Sequence, residues 1–196
     1  MQRILDGMTA LPAIVNNARL DLVAANRLGR ALFAPVLADP AWRANHARFT
    51  FLDPRAHDFW PDWDRAANDA VAMLRTEAGR DPFDKVLTDL VGELSTRSGD
   101  FRARWAAHDV RLHRTGTKHF QHPVVGDLLL SYDALDLPAD TGLTLIAFTA
   151  DADSPADAAL RLLARWAATQ NPTAAPTGPL GAPRSSERCA MFQTCD

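Results

Sequence analysis

Cysteine is nearly missing from this sequence. Among 196 residues only Cys189 and Cys195 carry a thiol, both within the last eight positions, so no disulfide framework is available and stability must come from a buried core. No run of about 18 apolar residues exists to cross a bilayer. The N-terminal stretch MQRILDGMTALPAIV breaks its short apolar pieces with Asp6, unlike the continuous apolar block of a secretory signal, and a cytoplasmic chain without membrane contact is expected. A basic excess is lacking too: the net charge is -3, too acidic to grip a phosphate backbone. Lysine is scarce, with only Lys85 and Lys118 against 19 arginines, a bias that matches the alanine-rich helices and points to base composition. There is no glycine-rich phosphate loop, GxSxG elbow, paired-cysteine motif or HExxH, which leaves the common catalytic scaffolds without their signatures. Asp58, Asp62 and Asp64 sit where a helix dipole alone attracts acids. The expectation is a non-enzyme with no cofactor.

What is present is a globular body. Hydrophobic residues make up 47% and charged residues 23% of the chain, enough for one core. Residues 1–10 read as an N-terminal junction, 11–168 as a single domain, and 169–196 as a flexible Pro/Gly/Ser-rich tail too poor in apolar residues to offset its ordering entropy. Ala13–Val15 and Leu20–Ala24, joined through Asn16 and Asn17, predict a hairpin. Asn26 suits the N-cap of a short helix, in which Gly29 either weakens the helix or allows close packing. A long helix is expected between His57 and Arg80, stopped by Gly79. A second is expected from the Asp81-Pro82-Phe83-Asp84 start with Phe83, Val86, Leu87, Leu90 and Leu94 on its stripe, and a third capped by Asp100. Strand character returns at 110–115, 124–135 and 143–149, and Ser154-Pro155 opens a closing helix. Two strands, a helical crossover, three antiparallel strands and a last helix form an α+β domain in PAS-like order: a five-stranded antiparallel sheet with an enlarged helical insert and a C-terminal helix.

The strings LPAIVNNARLDLVAANRLGRALFAPV, FWPDW and RWAAHDVRLHRTGTKHFQHPVVG, within Leu11 to Ala168, resemble the ligand-binding domain of MmyB-like transcription regulators. The resemblance implies a PAS-like small-molecule receptor, with a fatty acid as the known class of occupant. It also implies that DNA is contacted only through an Xre-type helix-turn-helix domain, for which this chain has no matching segment.

Chemistry suggests where an amphiphile could sit. Trp60, Trp63, Phe101 and Trp105 are bulky rings in the helical insert facing aliphatic strands, and such surfaces can pack imperfectly and leave an elongated hollow. Ordinary core packing is the plain alternative. Arg111 with His113, on one side of the strand beginning near 110, and Arg104 beside Trp105 are candidate carboxylate anchors, since a guanidinium can pair bidentately. A solvated strand face, or ion pairs with Asp100 and Asp109, would explain the same charges. His108, His113, His119 and His122 are dense, but a helix, a strand and a turn separate them, against a metal site. The competing function is a ligand-independent interaction domain forming a homodimer through a sheet edge or the closing helix.

Overall fold

The computed structural model describes residues 1–107, 114–140 and 142–169. Five strands, β1 (Ala13–Asn17), β2 (Leu22–Ala25), β3 (Thr115–His122), β4 (Gly126–Asp136) and β5 (Leu143–Thr149), form one antiparallel sheet in the order β2-β1-β5-β4-β3. The first hairpin sits at one edge and the later meander completes the sheet, as the PAS-like reading expects. The helices are α1 (Gln2–Gly7), α2 (Arg27–Leu32), α3 (Ala34–Leu37), α4 (His46–Leu52), α5 (Ala56–Phe59), α6 (Trp63–Arg80), α7 (Lys85–Arg97), α8 (Gly99–Ala107) and α9 (Pro155–Thr169). None of them is long and apolar enough to cross a membrane.

Local chemistry explains where the helices differ from expectation. The long helix expected from His57 is two, because Pro61 disfavours a helical conformation at Trp60, which is extended at φ -107° and ψ 94°. α6 then starts from Asp62, whose side chain accepts from the Arg65 amide at 3.2 Å. Gly79 does not stop α6; the helix runs on to Arg80 and ends at Asp81, the residue before Pro82. The cap of α7 is Asp84, which accepts from the amides of Val86 and Leu87 at 2.8 and 3.1 Å. With the start moved, Phe83 and Val86 are exposed, and Leu87, Leu90 and Leu94 form the buried stripe. Ser98 caps α8 in place of Asp100, accepting from the Phe101 amide at 3.1 Å.

Asn26 is the knot of the first hairpin. Its Oδ1 accepts from the amides of Gly29 at 2.6 Å and Ala13 at 3.1 Å, and its Nδ2 donates to the carbonyls of Met8 and Leu11 at 2.6 and 2.7 Å. Gly29 is there for close packing: a Cβ on it would lie 2.3 Å from the Ala13 carbonyl oxygen. The segment ahead of β1 is therefore tied to the sheet, and Leu5 of α1 is fully buried against Ala13 and Val15.

The strand period of two separates the faces. Ala13 and Val15 face α1, whereas Ile14 belongs to the main core with Phe33, Trp60, Phe120, Leu128, Leu130 and Phe148. A second core joins α4, α6, α7 and α8 through Val71, Leu74, Leu87, Leu90, Leu94 and Phe101. α9 packs on β4 and α2. The strand expected at 110–115 lies mostly outside the described residues. The described β3 runs from Thr115 to His122, through the positions expected to hold the break before Pro123.

Candidate ligand-binding cavity

The inner face of the sheet and the helical layer leave a cavity of about 100 Å³ between them. Its floor follows strand alternation: Ile14 and Asn16 of β1, Lys118 of β3, Tyr132 and Ala134 of β4, Ile146 and Phe148 of β5. The roof is a helical stripe, Ala66, Asp69, Ala70 and Met73 of α6, at the spacing of one helix face. His46 and Thr50, one turn apart on α4, close one side. Phe33 and Trp60, at helix ends, supply aromatic walls.

Several polar atoms on this apolar wall lack partners. Asn16 Oδ1, His46 Nε2 and Trp60 Nε1 are buried and make no hydrogen bond among the described residues, and an orphaned buried polar group costs about 1–3 kcal/mol. Lys118 projects from the inner face opposite Leu130, with its ammonium 4.7 Å from the centre of the Trp60 ring. Among the described residues it makes no hydrogen bond or ion pair.

Burial holds the Lys118 amine below the ordinary lysine range; Asp69 pulls it back up and Arg65 pushes it further down. His46 is pushed down to about 3, first by burial and then by repulsion from Lys118. Its ring meets Phe33 edge-on at 5.1 Å, and both His46 and Lys118 keep some surface open, on the cavity wall. The Tyr132 hydroxyl is raised, by burial and then by Asp69. A desolvated cation beside a neutral imidazole and unpaired donors and acceptors is the surface an acidic or hydrogen-bonding head group would satisfy.

The cavity alone is small. An engineered apolar cavity of about 150 Å³ holds benzene, so a long chain needs more room. A crevice of about 450 Å³ shares Asn16, Leu20, Met73 and Ala134 with the cavity, and a recess of about 50 Å³ shares Trp60, Ala66, Asp69 and Lys118 with it. The two shared sets have no residue in common, which puts the cavity between the other two spaces, and the partition toward the larger includes the adaptable side chain of Met73.

Of the residues singled out from sequence, Trp60 is on the cavity wall. Trp63 donates its indole N–H to the Thr50 carbonyl at 3.0 Å and stacks on His57 at 4.4 Å. Phe101 is fully buried in the helical core and Trp105 stacks on it at 5.5 Å, with the Arg75 guanidinium 4.6 Å from the Trp105 ring. Arg104 reaches α6, pairing with Asp64 and donating to Asn68 Oδ1 at 2.5 Å. None of these four lies on the described cavity wall. Arg111 and His113 lie outside the described residues, as does His108.

His119 pairs with Asp127. His122 donates Nε2–H to the Ala31 carbonyl at 3.0 Å and accepts from the Val124 amide at 3.2 Å. Among the described residues no three metal-ligating side chains come together.

Sequence reasoning ranked Lys118 below the arginines as a head-group anchor, because lysine cannot pair bidentately, and it missed His46, Asn16 and Asp69. A signal for Lys118 existed: in Thr115–His122 it occupies the same alternate set as Phe120, which marks it as inward. Asp69 likewise interrupts the stripe of Ala66, Ala70 and Met73.

No curated protein matches the chain. The family model described as the MmyB-like transcription regulator ligand binding domain matches residues 1–163, which spans the sheet, the helical layer and every residue lining the cavity. The chain belongs to the family of MmyB-like transcription regulator ligand-binding domains.

Proposed function

We propose that this domain is the sensing part of a transcription regulator and that its occupant is an amphiphile with an acidic head, a fatty acid or a molecule of that kind. The observation that carries the reading is the Lys118 ammonium in a largely apolar cavity, with no ion-pair partner among the described residues. A carboxylate would give the ammonium a direct ion pair beyond the field of Asp69 on the same wall, His46 Nε2 and Trp60 Nε1 are the unpaired polar atoms nearest in kind to a head-group shell, and the tail would pass the Leu20–Met73 partition into the adjoining crevice.

Ligand control requires that two arrangements of the protein bind the guest with different affinity. β1 offers the coupling element. Its Ile14 and Asn16 face the cavity, and its Ala13 and Val15 face α1. A guest that displaces Asn16 would act on the same strand that holds the N-terminal helix, and a DNA-reading domain joined ahead of α1 would sense it there.

The test is native mass spectrometry of the purified chain before and after organic extraction, with titrations of decanoate and decanol. A released or rebinding acid at one per chain, with decanoate well ahead of decanol, supports the reading. A chain that carries no guest and binds neither compound overturns it and favours the interaction-domain alternative.

A further inference from the structure

We infer that Lys118 can hold a carbonyl-bearing guest covalently as an imine, which makes small aldehydes and ketones a second ligand class for this cavity. The inference rests on the cavity being the ligand site. An amine can serve this chemistry when it is accessible to a guest, unpaired and partly neutral. Lys118 meets the first two conditions by geometry: its side chain lines the cavity and the small recess beside Asp69 and Trp60, and among the described residues it has no ion-pair partner. Burial supplies the third, since it favours the uncharged amine.

The step balances without any oxidant or reductant. The Nζ lone pair adds to the carbonyl carbon, a proton moves from nitrogen to the former carbonyl oxygen, and a carbinolamine results. Loss of the nitrogen's second proton and of the hydroxyl group then yields the C=N bond and one water. Asp69 and Tyr132 line the same cavity as Lys118 and are the groups placed to carry those protons. A protonated imine would keep the Trp60 ring as a cation-π partner and Asp69 as counter-charge. The charged and titratable groups that act on the amine are Asp69, which favours the cation, and Arg65 and His46, of which Arg65 opposes it and His46 is held neutral. The apolar walls of Ile14, Phe33 and Phe148 limit the water that would hydrolyse the product.

The sequence contains its own control. The other lysine, Lys85, is exposed and paired with Asp89 at 3.0 Å. The full chain is incubated with butanal and sodium cyanoborohydride near neutral pH, and butylation at Lys118, Lys85 and the N-terminal amine is followed by peptide mapping. Lys118 is expected to react severalfold faster than Lys85, because burial enlarges its share of free amine, with decanoate suppressing reaction at Lys118 alone. Reaction at Lys118 no faster than at Lys85 overturns the inference, using the unmodified protein and no variant. Lys118→Arg, which keeps a charge but forms no imine, should lose the fast site. If decanoate binds while Lys118 stays unlabelled, the imine is wrong and the acid-binding reading survives. If neither occurs, both fall.

Discussion

Replacing Lys118 with Met should stabilise the empty domain and weaken the binding of acids, two effects that a merely structural lysine would not produce together. Met keeps a flexible apolar stem in the cavity and removes the charge. Because the folded state holds the Lys118 amine below its ordinary value, the unfolded chain binds this proton more readily. The charge therefore costs stability at every pH below the folded value, and the cost fades as pH rises toward the ordinary lysine range. Each unit of lowering is worth about 1.4 kcal/mol, against about 0.5–1 kcal/mol lost with the cation-π contact to Trp60. A net gain shows as a rise in Tm, about 2–4 °C for each kcal/mol in a domain of this size. In binding, the loss of a charge-assisted hydrogen bond of about 1.5–3 kcal/mol predicts roughly 10- to 150-fold weaker decanoate and unchanged decanol. Differential scanning calorimetry across neutral to alkaline pH and isothermal titration with both ligands read the two effects. A Tm that drops equally at all pH values, or equal losses for acid and alcohol, would refute the reasoning.

His46 should remain neutral well into acid, with its ring signals titrating near 3 and not near 6.5. As pH falls through that window the unfolded chain takes up this proton and the folded chain does not, so stability declines by about 1.4 kcal/mol per pH unit; His46→Phe should flatten that slope in acid denaturation curves. Trp105→Ala should cost about 3 kcal/mol through lost packing on Phe101 and Arg75, yet leave decanoate affinity intact; a matching loss of affinity would bring Trp105 into the site. Gly29→Ala places a Cβ 2.3 Å from backbone oxygen and should destabilise by about 1–3 kcal/mol in urea melts, and a neutral result would show that α2 and β1 are not packed this closely.

Most of the sheet was legible because its strands carry period-two patterns bounded by turn chemistry, and Leu143–Thr149 was read residue for residue, whereas β3 runs through Thr115–His122, where its histidines and Gln121 hid the strand before Pro123. The closing helix followed from Ser154, whose hydroxyl accepts from the Asp157 amide at 3.1 Å. Helix starts were read less well where several acids compete: Asp81 and Asp84 look alike in sequence, and burial of Leu87, with exposure of Phe83, decides for Asp84. The site was the least legible part. Arginines next to tryptophans looked like anchors, but an exposed acid on a neighbouring helix suffices to hold Arg104, as Asp64 does. A single inward lysine, a capping-turn histidine and one asparagine on three different elements become a constellation only when β1, β3 and α4 are folded together. Their sequence separations, 16 to 46 to 118, carry no periodicity to reveal it.

The most direct test of the cavity as a ligand site is a two-dimensional NMR titration of the chain with decanoate, following methionine methyl groups and tryptophan indole N–H signals. Met73 and the unpaired Trp60 indole line the cavity, whereas Met8 packs on the outer face of the sheet and the Trp63 indole is already bonded to Thr50. Saturable shifts of Met73 and Trp60 at one decanoate per chain, with Met8 and Trp63 still, are predicted. Shifts confined to Met8 or Trp63, or no saturable shift at all, would contradict it.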